Sequence, residues 1–148
     1  MSRTVVLPVV ALVLFIAVLQ VLPFGGERTN PPVTAEPQWD SLRTHELAVQ
    51  ACFACHSNQT DWPWYSDIAP FSWKVRGDVD AGRALLNFSA WDRPQPGAGA
   101  AVGSIVEGHM PSNAYVLLNP AAGFEPAEQK DLIRGLRATP GEFDAAGD

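Results

Sequence analysis

The stretch Cys52-Phe53-Ala54-Cys55-His56 contains both cysteines of the chain and one of its three histidines. Two cysteines three positions apart, followed directly by a histidine, form the pattern by which haem c is attached to a protein. The spacing has a physical basis, because both thiols must reach the two vinyl groups on one edge of the macrocycle while the adjacent imidazole binds the iron. The sequence therefore predicts one covalent haem c, held by Cys52 and Cys55, with His56 as an iron ligand.

Three alternatives to haem attachment stay open on these residues alone. A structural Cys52–Cys55 disulfide is the usual fate of exported cysteines, a thioredoxin-like redox pair uses the same spacing, and zinc would need further ligands. Two cysteines are too few for a multi-disulfide framework or a four-cysteine zinc site. No alternation of strands and helices surrounds the motif, so a thioredoxin-like fold is not expected.

Aromatic residues crowd into the segment just after the motif, at Trp62, Trp64, Tyr65, Phe71 and Trp73. Rings of this size bury large areas, and the Trp N–H and Tyr O–H groups can reach polar partners. A haem edge with two propionates offers both kinds of surface. We expect these aromatic residues to wall the haem, and the alternative for each of them is an ordinary place in an aromatic core.

The surroundings of His56 follow from the general chemistry of metal-bound histidine. A protein carbonyl should accept the remaining N–H of the ring and fix its orientation, and Pro63 or Pro70 could place such a carbonyl. Arg76 and Arg83 are expected to face solvent, with pairing to haem propionates as the alternative.

Met110 is the only methionine beyond Met1. It follows Gly108 and precedes Pro111, and the proline favours an extended backbone at position 110. We expect Met110 to be the sixth iron ligand. The sharper alternative is His109, because adjacent residues on an extended segment point in opposite directions and only one of them can reach the metal. The remaining alternative is that Met110 is a buried core residue.

Four segments after residue 38 show apolar residues at helical spacing, and none shows the alternating pattern of a strand. The first is capped by Asp40 or Ser41 and carries Leu42, Val49, Cys52 and Phe53, and the second starts near Ser72 and carries Val75, Val79, Gly82 and Leu86. The third carries Ala98, Ala101, Val102, Ile105 and Val106 and ends at Gly108. The fourth starts at Pro126 and carries Leu132, Ile133 and Leu136. The expected fold is mainly α, with about four short helices and long loops.

The N-terminal run Val5–Phe24 is apolar except for Gln20. At ~1.5 Å per residue it is long enough to cross the roughly 30 Å hydrocarbon core of a bilayer. No small-x-small cleavage site follows, so we expect an uncleaved transmembrane anchor; a cleaved signal peptide is the alternative. Arg3 precedes the run, and the positive-inside rule then puts the following residues outside the cytoplasm. The predicted organisation is an anchor at 1–24, a flexible tether at 25–38, a haem domain at 39–139 and an acidic tail at 140–148.

The chain carries 16 acidic and 10 basic residues, for a net charge of −6. Nucleic-acid binding needs a basic face, so a nucleic acid is not an expected partner. The expected partners are the membrane, through the N-terminal helix, and a redox protein that the sequence does not identify.

Beyond the motif, the chain resembles the bacterial haem-binding domain family of small monohaem c-type proteins. The resemblance covers about residues 45–137 and rests on these stretches: Cys52–Asn58, Trp62–Tyr65, Ile68–Pro70, Trp73, Leu86–Trp91, Gly108–Pro111 and Tyr115. It implies a cytochrome-c-like, mainly helical fold with one covalent haem. Two positions depart from the family pattern. His109 stands where a variable or acidic residue is expected, which leaves the sixth ligand open, and Asn119-Pro120 replaces His-Pro, so position 119 need not bind iron.

The function expected from these features is single-electron transfer by a membrane-anchored monohaem c-type cytochrome. The protein would cross the bacterial inner membrane once and hold its C-terminal domain in the periplasm. No acid–base pair or nucleophile appears away from the haem motif, so we do not expect an enzyme. The alternative is a haem-based sensor or a peroxidase-like enzyme, either of which needs a displaceable sixth ligand.

Overall fold

The computed structural model describes residues 3–22, 28–141 and 143, and these residues are mainly helical. The seven α-helices are α1 (Arg3–Val21), α2 (Leu42–Ala51), α3 (Phe53–His56), α4 (Phe71–Leu85), α5 (Ala101–Val106), α6 (Asn113–Leu118) and α7 (Pro126–Ala138). Short 3₁₀ helices occupy Trp64–Asp67, Ala98–Ala100 and Pro120–Ala122. The described residues contain no β-strand, only one isolated bridge between Ala35 and Ala90. The predicted mainly α class is confirmed, and α3 and α6 are additions to the four predicted helices.

The chain divides into two compact units, which are described separately. The first unit comprises Met1–Arg28 and Trp62–Asp78, and the second comprises Thr29–Asp61 and Val79–Asp148. Helix α4 begins in the first unit and ends in the second. The Cys52–His56 motif belongs to the second unit, whereas the aromatic segment that follows it belongs to the first.

The core of the second unit forms where α2 packs against α7. Leu47 of α2 and Leu132 of α7 are fully buried. Gly135 lets the two helices approach closely, because a Cβ atom at this position would overlap the side chain of Thr44. Thr44 is itself buried, and its N–H donates to the Ser41 hydroxyl at 3.2 Å, so the same turn both caps α2 and meets α7.

Helix ends follow the capping signals of the sequence. Ser41 caps α2 as predicted, and α7 begins at the predicted Pro126, with Glu125 and Glu128 forming a capping box. Gly108 adopts a φ of +73° just beyond α5, a conformation that favours glycine and stops the helix.

The predicted apolar face of the first helix is wrong. Leu42 and Val49 are 72% and 45% exposed, and α2 instead buries Thr44, Leu47, Ala48 and Ala51. The helix also ends at Ala51 instead of continuing through Phe53, because the chain turns at Cys52 before α3 begins. The buried face therefore starts at Thr44, two residues after Leu42, and Phe53, the last residue of the predicted face, is buried in α3 instead.

An aromatic cluster completes the core of the second unit. Phe88 is 2% exposed and stacks on Phe53 at 5.6 Å between ring centroids. The ring centroids of Trp39 and Trp91 lie 5.2 and 6.2 Å from that of Phe88, and Phe143 stacks on Trp91 with 5.1 Å between centroids. None of these five residues comes from the aromatic segment 62–73. The predicted acidic tail therefore contains a packed residue, Phe143, while its positions 142 and 144–148 lie outside the described residues.

Most of the predicted tether lies along the second unit. Pro32 accepts a hydrogen bond from the Asn58 side chain at 2.9 Å, and the N–H of Thr34 donates to the carbonyl of Ser89 at 2.9 Å. The N–H of Trp91 donates to the carbonyl of Ala35 at 3.0 Å. Residues 29–37 are thus held by hydrogen bonds and do not behave as a free linker, while residues 25–27 of the predicted tether lie outside the described residues.

Helix α1 is the longest element of the first unit. Its segment Thr4–Val21 is long and apolar enough to cross a membrane by length and composition, and its side chains are almost all exposed. Gln20, the one polar residue of the predicted apolar run, forms two hydrogen bonds with the backbone of Ala69. Arg28 forms an ion pair with Asp67. These contacts hold the segment 66–69 against the C-terminal end of α1.

Candidate haem site

The Cys52–His56 motif folds as one tight helical turn. The N–H of Cys52 donates to the carbonyl of Ala48 at 2.8 Å, and the carbonyl of Cys52 accepts from Cys55 and His56 at 3.1 and 2.9 Å. Residues three apart on a helical turn lie on the same side, so the two thiols share one face. Both cysteines carry thiols and are not joined in a disulfide. The two thiols are therefore placed to form bonds to the same bound group.

The imidazole of His56 is oriented by a backbone carbonyl. Its Nδ1 lies 3.0 Å from the carbonyl oxygen of Leu86. In the tautomer with the proton on Nδ1, the N–H donates to Leu86 and Nε2 keeps a lone pair for a metal. Burial lowers the pKa of His56, and hydrogen bonds to the carbonyls of Leu86 and Gly82 act in the opposite direction. The neutral ring is the form that binds iron.

The predicted carbonyl partner exists, but its predicted source was wrong. The sequence pointed to Pro63 or Pro70, in the loop after the motif, whereas Leu86 follows the end of α4. The contact is reinforced by a second one, in which the N–H of Phe88 donates to the carbonyl of His56 at 2.8 Å. The residues after α4 are therefore part of the site.

Gly82 permits α4 to lie directly against the motif. A Cβ atom at this position would be 2.5 Å from the carbonyl oxygen of Cys55 and 3.2 Å from its Cβ. Contacts this short are not tolerated, so only glycine allows this approach. The sequence identified Gly82 as part of the apolar stripe of the second helix, but not this reason for it.

Arg83, the next residue of α4, connects the motif to the start of the second unit. Its Nε donates to the carbonyl of Ser57 at 2.7 Å, and Nη1 donates to the carbonyl of Thr29 at 2.9 Å. Nη2 donates to the side chains of Asn30 and Thr60, each at 3.0 Å. The expectation that Arg83 faces solvent is wrong, because its guanidinium forms these four bonds with the protein, and pairing with a propionate stays a prediction.

A buried polar network locks the residues after the motif to those after α4. The N–H of Asn58 donates to the hydroxyl of Ser89 at 3.0 Å, and the Asn87 amide donates to the Asn58 side chain at 2.9 Å. The side chain of Asn87 also accepts from the N–H of Ser89 at 2.9 Å. All three residues are buried. Both segments, Cys52–Asn58 and Leu86–Trp91, belong to the family resemblance, but the sequence did not show that they bond to each other.

The acidity of Cys52 argues against a redox role for the thiol pair. Burial raises the pKa of the Cys52 thiol to about 12, and the neighbouring Cys55 adds to the rise. A thioredoxin-like pair needs a thiol with a lowered pKa, because the thiolate is the reactive form.

Among the described residues, no group of three or more His, Cys, Asp and Glu side chains is gathered as a metal site.

Met110 and His109 occupy the loop between α5 and α6, as the sequence predicted. The N–H groups of both residues donate to the carbonyl of Ser104, at 2.9 Å for His109 and 3.1 Å for Met110. The Met110 side chain is 45% exposed and is therefore not a buried core residue. His109 lies 3.2 Å from the carboxylate of Glu107. Iron ligation by either residue stays a prediction.

The five aromatic residues predicted to wall the haem lie in the first unit, and Phe71 among them is 58% exposed. Trp62, Tyr65 and Trp73 are half-buried, whereas Trp64 is 75% exposed. Trp64 and Tyr65 meet edge to face, with ring centroids 5.8 Å apart. Their contact with haem stays a prediction.

The third histidine, His45 of α2, packs between Trp39 and Phe53, at ring-centroid distances of 5.4 and 5.6 Å.

Comparison with known proteins identifies the family. Residues 13–138 match the family model described as a haem-binding domain. No curated protein matches the chain. No solved structure matches it either. Because the matched segment covers most of the 148 residues, the chain belongs to the haem-binding domain family.

Proposed function

We propose that this protein is a membrane-anchored monohaem c-type cytochrome that transfers single electrons on the periplasmic side of a bacterial inner membrane. Family membership supports a haem cofactor. The observation that carries the finer proposal is the helical turn of Cys52–His56, in which two thiols share one side and the imidazole is oriented by Leu86.

The donor set of this turn fits a covalently held haem. Cys52 and Cys55 would hold one haem through two thioether bonds, and Nε2 of His56 would bind the iron. Each thiol would add its S–H across one vinyl group, and this addition needs no oxidant or reductant. A haem iron supplies a reversible one-electron couple. The Leu86 carbonyl would hold the His56 ring in one orientation as the iron changes charge.

Met110 is the proposed sixth ligand. The turn at Gly108 directs the chain out of α5, and the two bonds to Ser104 fix the loop just ahead of Pro111. A thioether has no proton to lose and remains a ligand over a wide pH range. His109 is the rival ligand, because its Nδ1 lies 3.2 Å from the carboxylate of Glu107 and its Nε2 is left for a metal. Ligation by histidine and methionine would raise the reduction potential above that of a bis-histidine haem.

The aromatic residues Trp62, Tyr65 and Trp73 are proposed to cover the haem. Their rings offer apolar faces together with N–H or O–H groups, which suit the two kinds of surface at a haem edge. Trp64 is not included, because it is 75% exposed and lies near two other exposed apolar residues, Ile68 and Phe71.

Helix α1 is the proposed membrane anchor. It is long and apolar enough to span a bilayer, and the apolar run that overlaps it is not followed by a small-x-small cleavage site. A signal sequence would have a similar helix, so the anchor is tested by whether the protein stays in membranes washed with alkaline carbonate. Trimmed protein in the soluble fraction would contradict it.

One alternative function has a specific observation in its favour. Met110 lies on a short loop and its side chain is 45% exposed, so it could be displaced by a small ligand. A haem sensor or a peroxidase-like enzyme works in this way.

Carbon monoxide distinguishes the two functions. The protein is produced with a c-haem maturation system, reduced, and mixed with carbon monoxide while the absorption spectrum is followed. Electron transfer by a six-coordinate haem predicts little or slow binding. Rapid and complete binding would contradict the electron-transfer proposal and support the alternative.

A further inference from the structure

The first unit exposes three large apolar side chains within one short segment. Trp64 is 75% exposed, Ile68 40% and Phe71 58%. Single exposed apolar residues are common on protein surfaces. Three within a segment of this length, at the start of α4 and in the 3₁₀ helix before it, indicate a surface that contacts something apolar.

This segment is fastened to the end of α1. The side-chain amide of Gln20 donates to the carbonyl of Ala69 at 3.2 Å and accepts from the N–H of Ala69 at 3.0 Å. One amide therefore satisfies both polar groups of one backbone position. The Arg28 ion pair with Asp67 adds a second attachment beyond the helix.

The position of Gln20 along α1 sets the level of the segment relative to a bilayer. The helix has 19 residues, so at ~1.5 Å per residue it is about 28 Å long, close to the thickness of a hydrocarbon core. Gln20 is the next-to-last residue of this helix. The Gln20 amide therefore lies close to the edge of the hydrocarbon, and Ala69, to which it is bonded, lies at the same level.

We propose that Trp64, Ile68 and Phe71 embed in the headgroup region of the bilayer that α1 spans. This inference rests on the proposed anchor role of α1. Tryptophan is enriched at the membrane–water interface, because its ring is apolar and its N–H can bond to headgroups and water. Phenylalanine and isoleucine add apolar area toward the acyl chains. The occupant of this surface is therefore lipid, and the first unit contacts the membrane through two elements.

The charges of the same unit agree with this arrangement. Lys74 and Asp78 form an exposed ion pair further along α4. Asp78 lies two helical turns beyond Phe71, or about 10 Å along the axis. Both side chains of this ion pair are exposed, so this part of α4 faces water. Asp78 therefore provides a matched control on the same helix.

Spin labels in vesicles test the inference. Single cysteines replace Trp64, Phe71, Asp78 or Leu12 in the full-length haem-loaded protein, where the native cysteines are occupied by haem. Each variant is labelled with a nitroxide and reconstituted into vesicles of phosphatidylethanolamine and phosphatidylglycerol. Power saturation then compares collisions with oxygen, which is enriched in lipid, with collisions with a water-soluble nickel chelate.

The inference predicts that labels at Trp64→Cys and Phe71→Cys collide several-fold more with oxygen than with nickel, and that the ratio is reversed at Asp78→Cys. Leu12→Cys, in the middle of α1, should give the highest ratio. If positions 64 and 71 match position 78 while position 12 reports lipid, the inference is wrong and the anchor stands. An aqueous label at position 12 overturns both. Low collision rates with both reagents at 64 and 71 would reveal a protein or haem contact and also overturn the inference.

Discussion

The Nδ1 atom of His56 lies 3.0 Å from the carbonyl oxygen of Leu86, thirty residues further along the chain. This contact makes the end of α4 a structural part of the motif, because the carbonyl determines which way the imidazole faces. Gly82 and Arg83, one turn earlier on the same helix, hold α4 in that position. The fold around the motif can therefore be tested by changing α4 alone.

Replacing Gly82 with alanine should destabilise the protein. The new Cβ would lie 2.5 Å from the carbonyl oxygen of Cys55, and relieving that overlap moves α4 away from the motif. We expect a loss of about 1–3 kcal/mol in the free energy of unfolding, measured by urea titration of the haem-loaded protein in detergent.

Gly77 provides the matched control on the same helix. Nothing lies within 4 Å of a Cβ placed there, so Gly77→Ala should stabilise the protein by about 0.5–1 kcal/mol through helix propensity. Equal effects of the two substitutions would show that α4 does not contact the motif closely.

Replacing Arg83 with lysine should weaken the attachment of residues 29–30 to the motif. A lysine keeps the charge but lacks the planar fork that donates to Ser57, Thr29, Asn30 and Thr60. We expect a loss of about 1–3 kcal/mol and faster proteolysis near residue 29. Arg134→Lys is the control, because Arg134 is exposed and makes only a surface ion pair with Asp131. A similar small effect at both sites would contradict the structural role of Arg83.

Glu128 should make stability depend on pH in the acid range. The N–H of Glu125, followed by the Arg43 side chain, holds the pKa of the Glu128 carboxyl below its usual range. A lowered pKa stabilises the fold above the unfolded value of about 4.3, and this stabilisation is lost as the pH falls through the folded pKa. Glu128→Gln keeps a hydrogen-bond acceptor but no charge. Its urea midpoint should be below that of the native protein at pH 7 and should approach it at pH 3; an unchanged gap would exclude the charge as the cause.

Met110→Ala and His109→Ala should have different effects on the haem. Loss of a thioether ligand removes the weak long-wavelength band of the ferric protein and lowers the reduction potential. His109→Ala should leave both nearly unchanged, since Met110 and not His109 is the proposed ligand. Absorption spectra and redox titrations of the two variants measure this directly. If His109→Ala changes the spectrum and Met110→Ala does not, the haem is bis-histidine.

Local features of the site were predictable from the sequence. The motif, the caps at Ser41 and Pro126, and the helix stop at Gly108 each depend on residues within a few positions of one another. Val79, Val102 and Leu132 are buried as their helical spacing predicted. Signals of this kind need no knowledge of the tertiary fold.

Contacts between distant segments were not predictable. Leu86 supplies a backbone carbonyl, and a backbone group carries no residue-specific signal. The aromatic density of residues 62–73 suggested a core there, but the core rings are spread over the chain from Trp39 to Phe143. The turn at Cys52 escaped prediction because the apolar pattern continues through it.

Covalent attachment of haem through Cys52 and Cys55 is the central claim, and the intact mass of the denatured protein tests it most directly. Protein made with a c-haem maturation system should carry the mass of one haem after acid–acetone extraction. Cys52→Ala/Cys55→Ala should lose that mass, whereas Met110→Ala should keep it, because an axial ligand is not needed for the thioether bonds. Wild-type protein without the added mass, or a double variant that retains it, would contradict the account.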